Sequence, residues 1–362
     1  MNTTGHTATV QHVLEQAVTQ QNYPGAFAQI RDGESTSFLS AGVADTGSGR
    51  PAGPRDQFRV GSITKTFTAT LILQLAAEYK LSLDDTVEQW LPGLVQGNGH
   101  DGRKITIRQL LNHTSGIFGY TMDERLLESH WTPELLEHRF DKFTPEELVR
   151  IAVSHPADFE PGTQWGYSNT NFVVAAMIVE RASGLSYAEA IEYRISRALK
   201  LTDTYAPGSD TGFRGPHVRN YSTLMVTDPQ APIHDVTEIS PSYAFGVGEI
   251  ISTADDLTTF LGALLGGRIL PPAQLDEMLT MTPVPDGTWL DGYSYGLGIS
   301  SVMLPNGTTV YGHGGMIFGT WSYLYGTKDG HRTVAQNVNG DWGMPPMGIF
   351  IDLLDAAFTT NE

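Results

Sequence analysis

The stretch TKTFTATLILQLAAEY, from Thr64 to about Tyr79, carries apolar residues nearly all round a helix. A surface helix shows one apolar stripe, but a helix of this kind must be covered on every side. Such cover needs a sizeable core. The 362 residues, 40% of them hydrophobic, can supply it in one large domain or two intimate ones. Lys65 is the only charge between Arg59 and Glu78. A lone lysine on a buried helix calls for a reason, because lysines are seldom buried without one.

The elements around this helix follow a recognisable order. Residues 8–21 place Val10, Val13, Leu14 and Val18 at helical spacing. GAFAQI and STSFLSAGVA flank RDGE and read as a hairpin. From Leu81 to about Gly215 the pattern is helices and loops. TIRQLLNHTSGI holds a short helix and a turn. Thr144, Pro145 and Glu147 form a capping box with proline at the first helical position. NTNFVVAAMIVERASG is a helix ending at Gly184, and SYAEAIEYRISRAL is another. Residues 206–243 read as irregular loops that shape specificity, with Phe118, Tyr120 and Tyr243 as further candidates for subsites. TADDLTTFLGALLGG is helical. Strands return as YGLGISSVML, TTVYG, GTWSYLYGT and HRTVAQNVN, and a last helix covers Met347 to Phe358. This order implies an α/β (α+β) fold: an antiparallel sheet flanked by helices, plus an all-helical domain, with a cleft between them. The expected division is 1–66 with 235–362 for the sheet domain and 67–234 for the helical one.

Composition excludes several classes. Net charge is −18, from 40 acidic and 22 basic residues, with no basic cluster of the kind a nucleic-acid binder shows. The same balance disfavours docking on anionic membranes. No stretch approaches the roughly 20 apolar residues of a membrane helix. The chain has no cysteine, which rules out disulfides and thiolate chemistry. The opening MNTTGHTATVQHVLEQAV lacks a basic start, an apolar run and a cleavage site. The expectation is a cytoplasmic protein, or a secreted one if a leader has been removed. The sequence points to no particular oligomeric state.

Three short motifs carry chemistry. In FRVGSITK, Ser62 and Lys65 lie three apart at a helix start, so their side chains share a face. There the helix dipole favours developing negative charge, and a desolvated lysine can accept the serine proton. A plain reading stands beside this: Ser62 caps the helix and Lys65 is a solvated neighbour. In WGYSNTNF, Tyr167 and Asn169 precede a helix, the phenol as a proton donor and the amide as a contact for lysine or substrate; Asn169 as an N-cap is the bland alternative. In VYGHGGMIFG, His313, Gly314, Gly315 and Met316 lie between expected strands, where two glycines permit close backbone approach and an N–H can face an oxyanion; a glycine-rich turn is the alternative. Trp165 beside Tyr167 fits either the cleft or the core.

Taken together and in this order, S-I-T-K, Y-S-N and H-G-G resemble the serine β-lactamase-like family of penicillin-binding proteins, class C β-lactamases, DD-peptidases, D-aminopeptidases, esterases and acyltransferases. FRVGSITK, LPGL, NHTSGI, YSNTNFVVA and YGLG resemble the secreted DD-carboxypeptidases/transpeptidases of this family, over nearly the whole chain. The resemblance implies a β-lactamase/transpeptidase-like fold and an acyl-enzyme on Ser62. It implies that Lys65 and Tyr167 share proton transfer, with the base left open. Asn169 would orient Lys65 and contact the substrate amide. His313 would be a donor near Tyr167, and the backbone N–H groups of Ser62 and Met316 would form an oxyanion hole beside Gly314 and Gly315. No metal or organic cofactor is implied. His113, in NHTSG, is expected to be structural.

The departures narrow the substrate. The DD-peptidase holds a substrate carboxylate with two threonines and an arginine. At the matching positions this chain has Gly314, Met316 and Ser300 or a neighbour. A buried carboxylate would lose its donors and its positive partner. The expected substrate is therefore a small peptide-like amide or ester without a free carboxylate there, D-configured in one version. The acyl group would pass to water or to an amine, peptide cyclisation included. The competing functions are a D-alanyl-D-alanine carboxypeptidase/transpeptidase, a β-lactamase and a non-catalytic binding protein on the same fold.

Overall fold

The computed structural model describes residues 3–228, 230–289, 292–342 and 347–359. The labelled elements are α1 (Thr3–Gln21), β1 (Gly25–Asp32), β2 (Ser35–Gly42), α2 (Thr64–Ala77), α3 (Pro145–Ser154), α4 (Asn169–Ser183), α5 (Ala254–Leu265), β3 (Thr282–Pro283), β4 (Ser294–Tyr295), β5 (Ser300–Met303), β6 (Thr309–Ile317), β7 (Thr320–Gly326), β8 (Arg332–Val338) and α6 (Met347–Phe358). The eight strands form one sheet in the order β2-β1-β8-β7-β6-β5-β4-β3, with antiparallel pairing throughout.

Period-two alternation on β1 divides the sheet's two faces. Ala26 and Ala28 join Val10, Val13, Leu14, Phe350 and Leu354 on the side of α1 and α6. Phe27 points the other way and packs on Phe38 and Phe58, with ring centroids 5.6 and 5.3 Å apart. On that side lie α5 and then the helical block, joined where Phe67 of α2 stacks on Phe260 of α5 at 3.7 Å. Burial of each such ring stabilises the fold by roughly 1.5–3 kcal/mol. The fold is thus the mixed sheet-and-helix architecture expected. Among the described residues no helix is long and apolar enough to cross a membrane.

Helix α2 is enclosed as its composition requires: every residue from Thr64 to Leu73 is buried, Lys65 included. A 3₁₀ turn over Gly61–Ile63 leads into it. Helix α3 opens with the capping box at Thr144 and Glu147, and α4 stops at Gly184.

Two local expectations give way. YGLGISSVML is not one strand: β4 and β5 are separated by a turn in which Gly296 N–H donates to Ile299 O at 2.7 Å, and the turn is tied to α2 through Thr66 Oγ1 and Gly298 O. The HGGM segment does not lie between strands but inside β6, because it pairs continuously with β7 from Tyr311–Gly326 to Ile317–Thr320. On its other side β6 pairs with β5 only up to Gly312–Ser300. Residues 313–317 therefore have one edge outside that ladder, and against this edge sits the Gly61–Ile63 turn.

Candidate active site

The helix-start turn brings Ser62 to the free edge of β6. Gly61 has φ 55°, a conformation that disfavours a side chain, and a Cβ there would lie 2.6 Å from Met316 N. A Cβ on Gly315 would lie 2.0 Å from Val60 O and 3.0 Å from Ser62 N. Both positions must be glycine for the two backbones to approach this closely. The result places the backbone at Ser62 and at Met316 side by side, the arrangement an oxyanion needs.

Lys65 is fully buried. Its Nζ lies 2.9 Å from Ser62 Oγ and donates to Val247 O at 3.0 Å. It also lies 5.0 Å from the centroid of the Tyr167 ring. None of these partners is a carboxylate. Burial pushes the Lys65 pKa well below a lysine's ordinary value. An amine in the neutral form can keep one hydrogen on Val247 O and turn its lone pair to the Ser62 hydroxyl. Burial pushes the Tyr167 phenol the other way, upward, and a hydrogen bond with Ser62 offsets part of that shift. The two groups that flank Ser62 are thus driven toward a neutral amine and a neutral phenol.

His313 lies buried on β6, but its partner is not Tyr167. Its Nδ1 donates to Gly314 O, and its Nε2 accepts from Tyr295 O–H at 2.8 Å. Burial, and then the charge of Lys65, lower its pKa to about 3. The ring is neutral with both nitrogens occupied, so it has no hydrogen to offer Tyr167 as expected; the Tyr295 ring meets Tyr167 edge-on, centroids 6.3 Å apart. Asn169 also differs from expectation. Its Nδ2 donates to Thr121 Oγ1 at 3.1 Å, and the second partner of Lys65 is Val247 O instead. Asn169 is the first residue of α4, after Ser168 at the N-cap. Ser300 Oγ donates to Gly312 O at 2.8 Å and meets Tyr325 O–H at 3.0 Å, so it is spent within the sheet.

A cavity of about 160 Å³ opens at Ser62 and Tyr167 and runs past Gly314, Gly315 and Met316 toward α6. Its far part is aromatic and aliphatic: Trp289, Tyr293, Trp321, Tyr323 and Leu354. Gly314 makes room for it, since a Cβ there would meet the Tyr323 ring at 2.8 Å. None of the described residues lining it is Lys, Arg, Asp or Glu. The expected contributors Phe118, Tyr120, Tyr243 and the 206–243 loops do not line it. Trp165 does not line it either; its ring stands 6.0 Å from that of Tyr295. Tyr295 and the aromatic wall escaped sequence reasoning. Tyr295 stands in the YGLG segment, the one signal that marked its neighbourhood.

The Beta-lactamase family model matches residues 10–345. Among solved structures, a D-stereospecific amidohydrolase from Streptomyces sp. is 46% identical, with a TM-score of 0.90, and the match covers 97% of this chain and 98% of that one. The D-amino acid amidase from Ochrobactrum anthropi SV3, complexed with L-phenylalanine amide, is 26% identical with a TM-score of 0.82, covering 97% and 98%. Esterase EstB of Burkholderia gladioli is 29% identical over 337 residues, 87% of this chain and 84% of that protein.

Proposed function

Because this chain belongs to the Beta-lactamase family, and within it to the serine hydrolases, we propose that it forms an acyl-enzyme on Ser62 from small D-configured aminoacyl or peptidyl amides and esters. The acyl group then passes to water or to an amine. The observation that carries this reading is the buried, carboxylate-free Lys65 at 2.9 Å from Ser62 Oγ. Lys65 takes the serine proton as Oγ attacks the carbonyl carbon. The N–H groups of Ser62 and Met316 receive the oxyanion. Tyr167, which holds its proton, delivers it to the leaving nitrogen or oxygen as that bond breaks. Water or an amine then attacks the ester carbonyl, and the protons return by the same groups.

The described residues of the cavity wall carry no charge; they favour an apolar acyl or leaving group and give a free carboxylate no positive partner. The D configuration is supported by likeness to the two D-specific amide hydrolases.

The test uses matched acyl-D-Ala-D-Ala peptides, one a free acid and one capped as an amide, together with D- and L-phenylalanine amide. Each is run with and without an added amine, against Ser62→Ala, and products are read by mass spectrometry. Ser62-dependent turnover of the D amide and the capped peptide is the expected result, and an amine adduct selects transfer. Cleavage of the free acid alone would overturn the carboxylate argument and favour a D-alanyl-D-alanine carboxypeptidase. Opening of a penicillin ring with multiple turnovers would instead favour a β-lactamase.

A further inference from the structure

Residue 113 brackets Tyr167. His113 O accepts from Gly166 N–H at 2.9 Å, and His113 Nδ1 accepts from Ser168 N–H at 3.2 Å. The residues on both sides of the phenol are therefore tied to one amino acid. The imidazole is fully buried, and its centroid lies 4.2 Å from that of the Tyr167 ring. A second donor, Asn171 Nδ2 in the first turn of α4, reaches the same Nδ1 at 3.1 Å, and Asn171 Oδ1 is in turn fixed by Ser115 Oγ. The backbone at His113 has φ 61°, a left-handed conformation that few side chains accept. An apolar residue would fill this space more cheaply.

Two N–H groups aimed at Nδ1 leave it no proton. The neutral ring must then carry its hydrogen on Nε2, which is buried without a hydrogen-bond partner. An unpaired buried donor is a cost the fold accepts in order to keep Nδ1 as an acceptor. From this geometry we infer that His113, locked as the Nε2–H tautomer, is a positioning residue that holds the Tyr167 phenol against Ser62. This rests on the reading of Ser62 and Tyr167 given above. His113 touches no reacting atom and acts through Tyr167.

The test is a double-mutant cycle on the rate at which a fluorophosphonate probe labels Ser62, read by intact mass. His113→Phe keeps a ring and removes the acceptor. It is expected to lower the maximal labelling rate about 10- to 100-fold with little change in half-saturation, the loss typical of a displaced catalytic group. His113→Asn presents an acceptor near the Nδ1 position and tolerates positive φ, and should recover most of the rate. In a Tyr167→Phe background, His113→Phe should have little further effect. Losses that multiply in the double variant would overturn the inference while leaving Ser62 as the nucleophile. Absence of Ser62-dependent labelling in the wild type would remove both readings. Should His113→Phe fail to fold, ¹⁵N NMR of the wild-type imidazole decides: an Nε2–H signal supports the inference and an Nδ1–H signal overturns it.

Discussion

At the scale of single residues, burial is what sets the protonation of the candidate site. Lys65 has no carboxylate, Tyr167 has no base other than what surrounds Ser62, and His313 has no free nitrogen. Burial then holds each group in the neutral form, the form that the proposed roles of Lys65 and Tyr167 need. His313 is also held by Tyr295, whose O–H donates to Nε2. Tyr295→Phe would leave Nε2 buried without its donor, at a cost of about 1–3 kcal/mol. Urea unfolding should show that loss, and acylation should fall less than in Tyr167→Phe, because Tyr295 stands behind the reacting groups. A stability equal to wild type would mean that the bond contributes nothing. That Ser62, Lys65 and Tyr167 come together was legible in the sequence, because the motifs that single them out rest on spacing within one turn or one loop. Val247 O, Tyr295 and the bracket at His113 were not legible, since each joins segments far apart in the chain and leaves no local pattern.

At the scale of elements, β6 combines a pairing edge and a docking edge. In the sequence two glycines left a close-approach strand edge and a turn as alternatives. In the fold they sit in a strand, because pairing with β7 supplies the regularity while the other edge must admit Val60 and Ser62. Gly315→Ala is accordingly expected to separate β6 from the nucleophile turn and lower acylation at least about 100-fold. Circular dichroism should be preserved, and the rate of probe labelling is the check. An active Gly315→Ala enzyme would show that the turn can retreat without cost. The amphipathic and capped helices were legible to within a few residues, since their signals are local. The splitting of YGLGISSVML was not, because its turn is set by contacts with α2.

At the scale of the whole molecule, buried acids set how stability responds to pH. Burial raises Glu249 to about 8, although its carboxylate accepts from Gly246 N–H. It raises Asp256 and Asp341 to about 6. Between the ordinary carboxylate range and these values, the folded chain keeps protons that the unfolded chain has released. Their contribution to stability therefore falls as pH rises through that window, and for Glu249 it levels off above about 8. Glu249→Gln should remove its share of the slope. The gap between variant and wild type, measured by urea unfolding from about pH 5 to about pH 8, should shift steadily in the variant's favour. A constant gap would show that Glu249 does not titrate there.

The docking of Ser62 on β6 also has a consequence in time. The proposed nucleophile lies early in the chain and the strand that would complete its oxyanion site lies late, with the whole helical block between them. During synthesis the serine and its lysine leave the ribosome together, long before Met316. A growing chain thus holds an amine and a hydroxyl with nothing to receive the charge of attack. On the proposed mechanism, acylation must wait for the closing of the sheet, and long-range pairing of this kind is slow to form. The order of the segments keeps the reactive pair idle until the molecule around it is nearly finished.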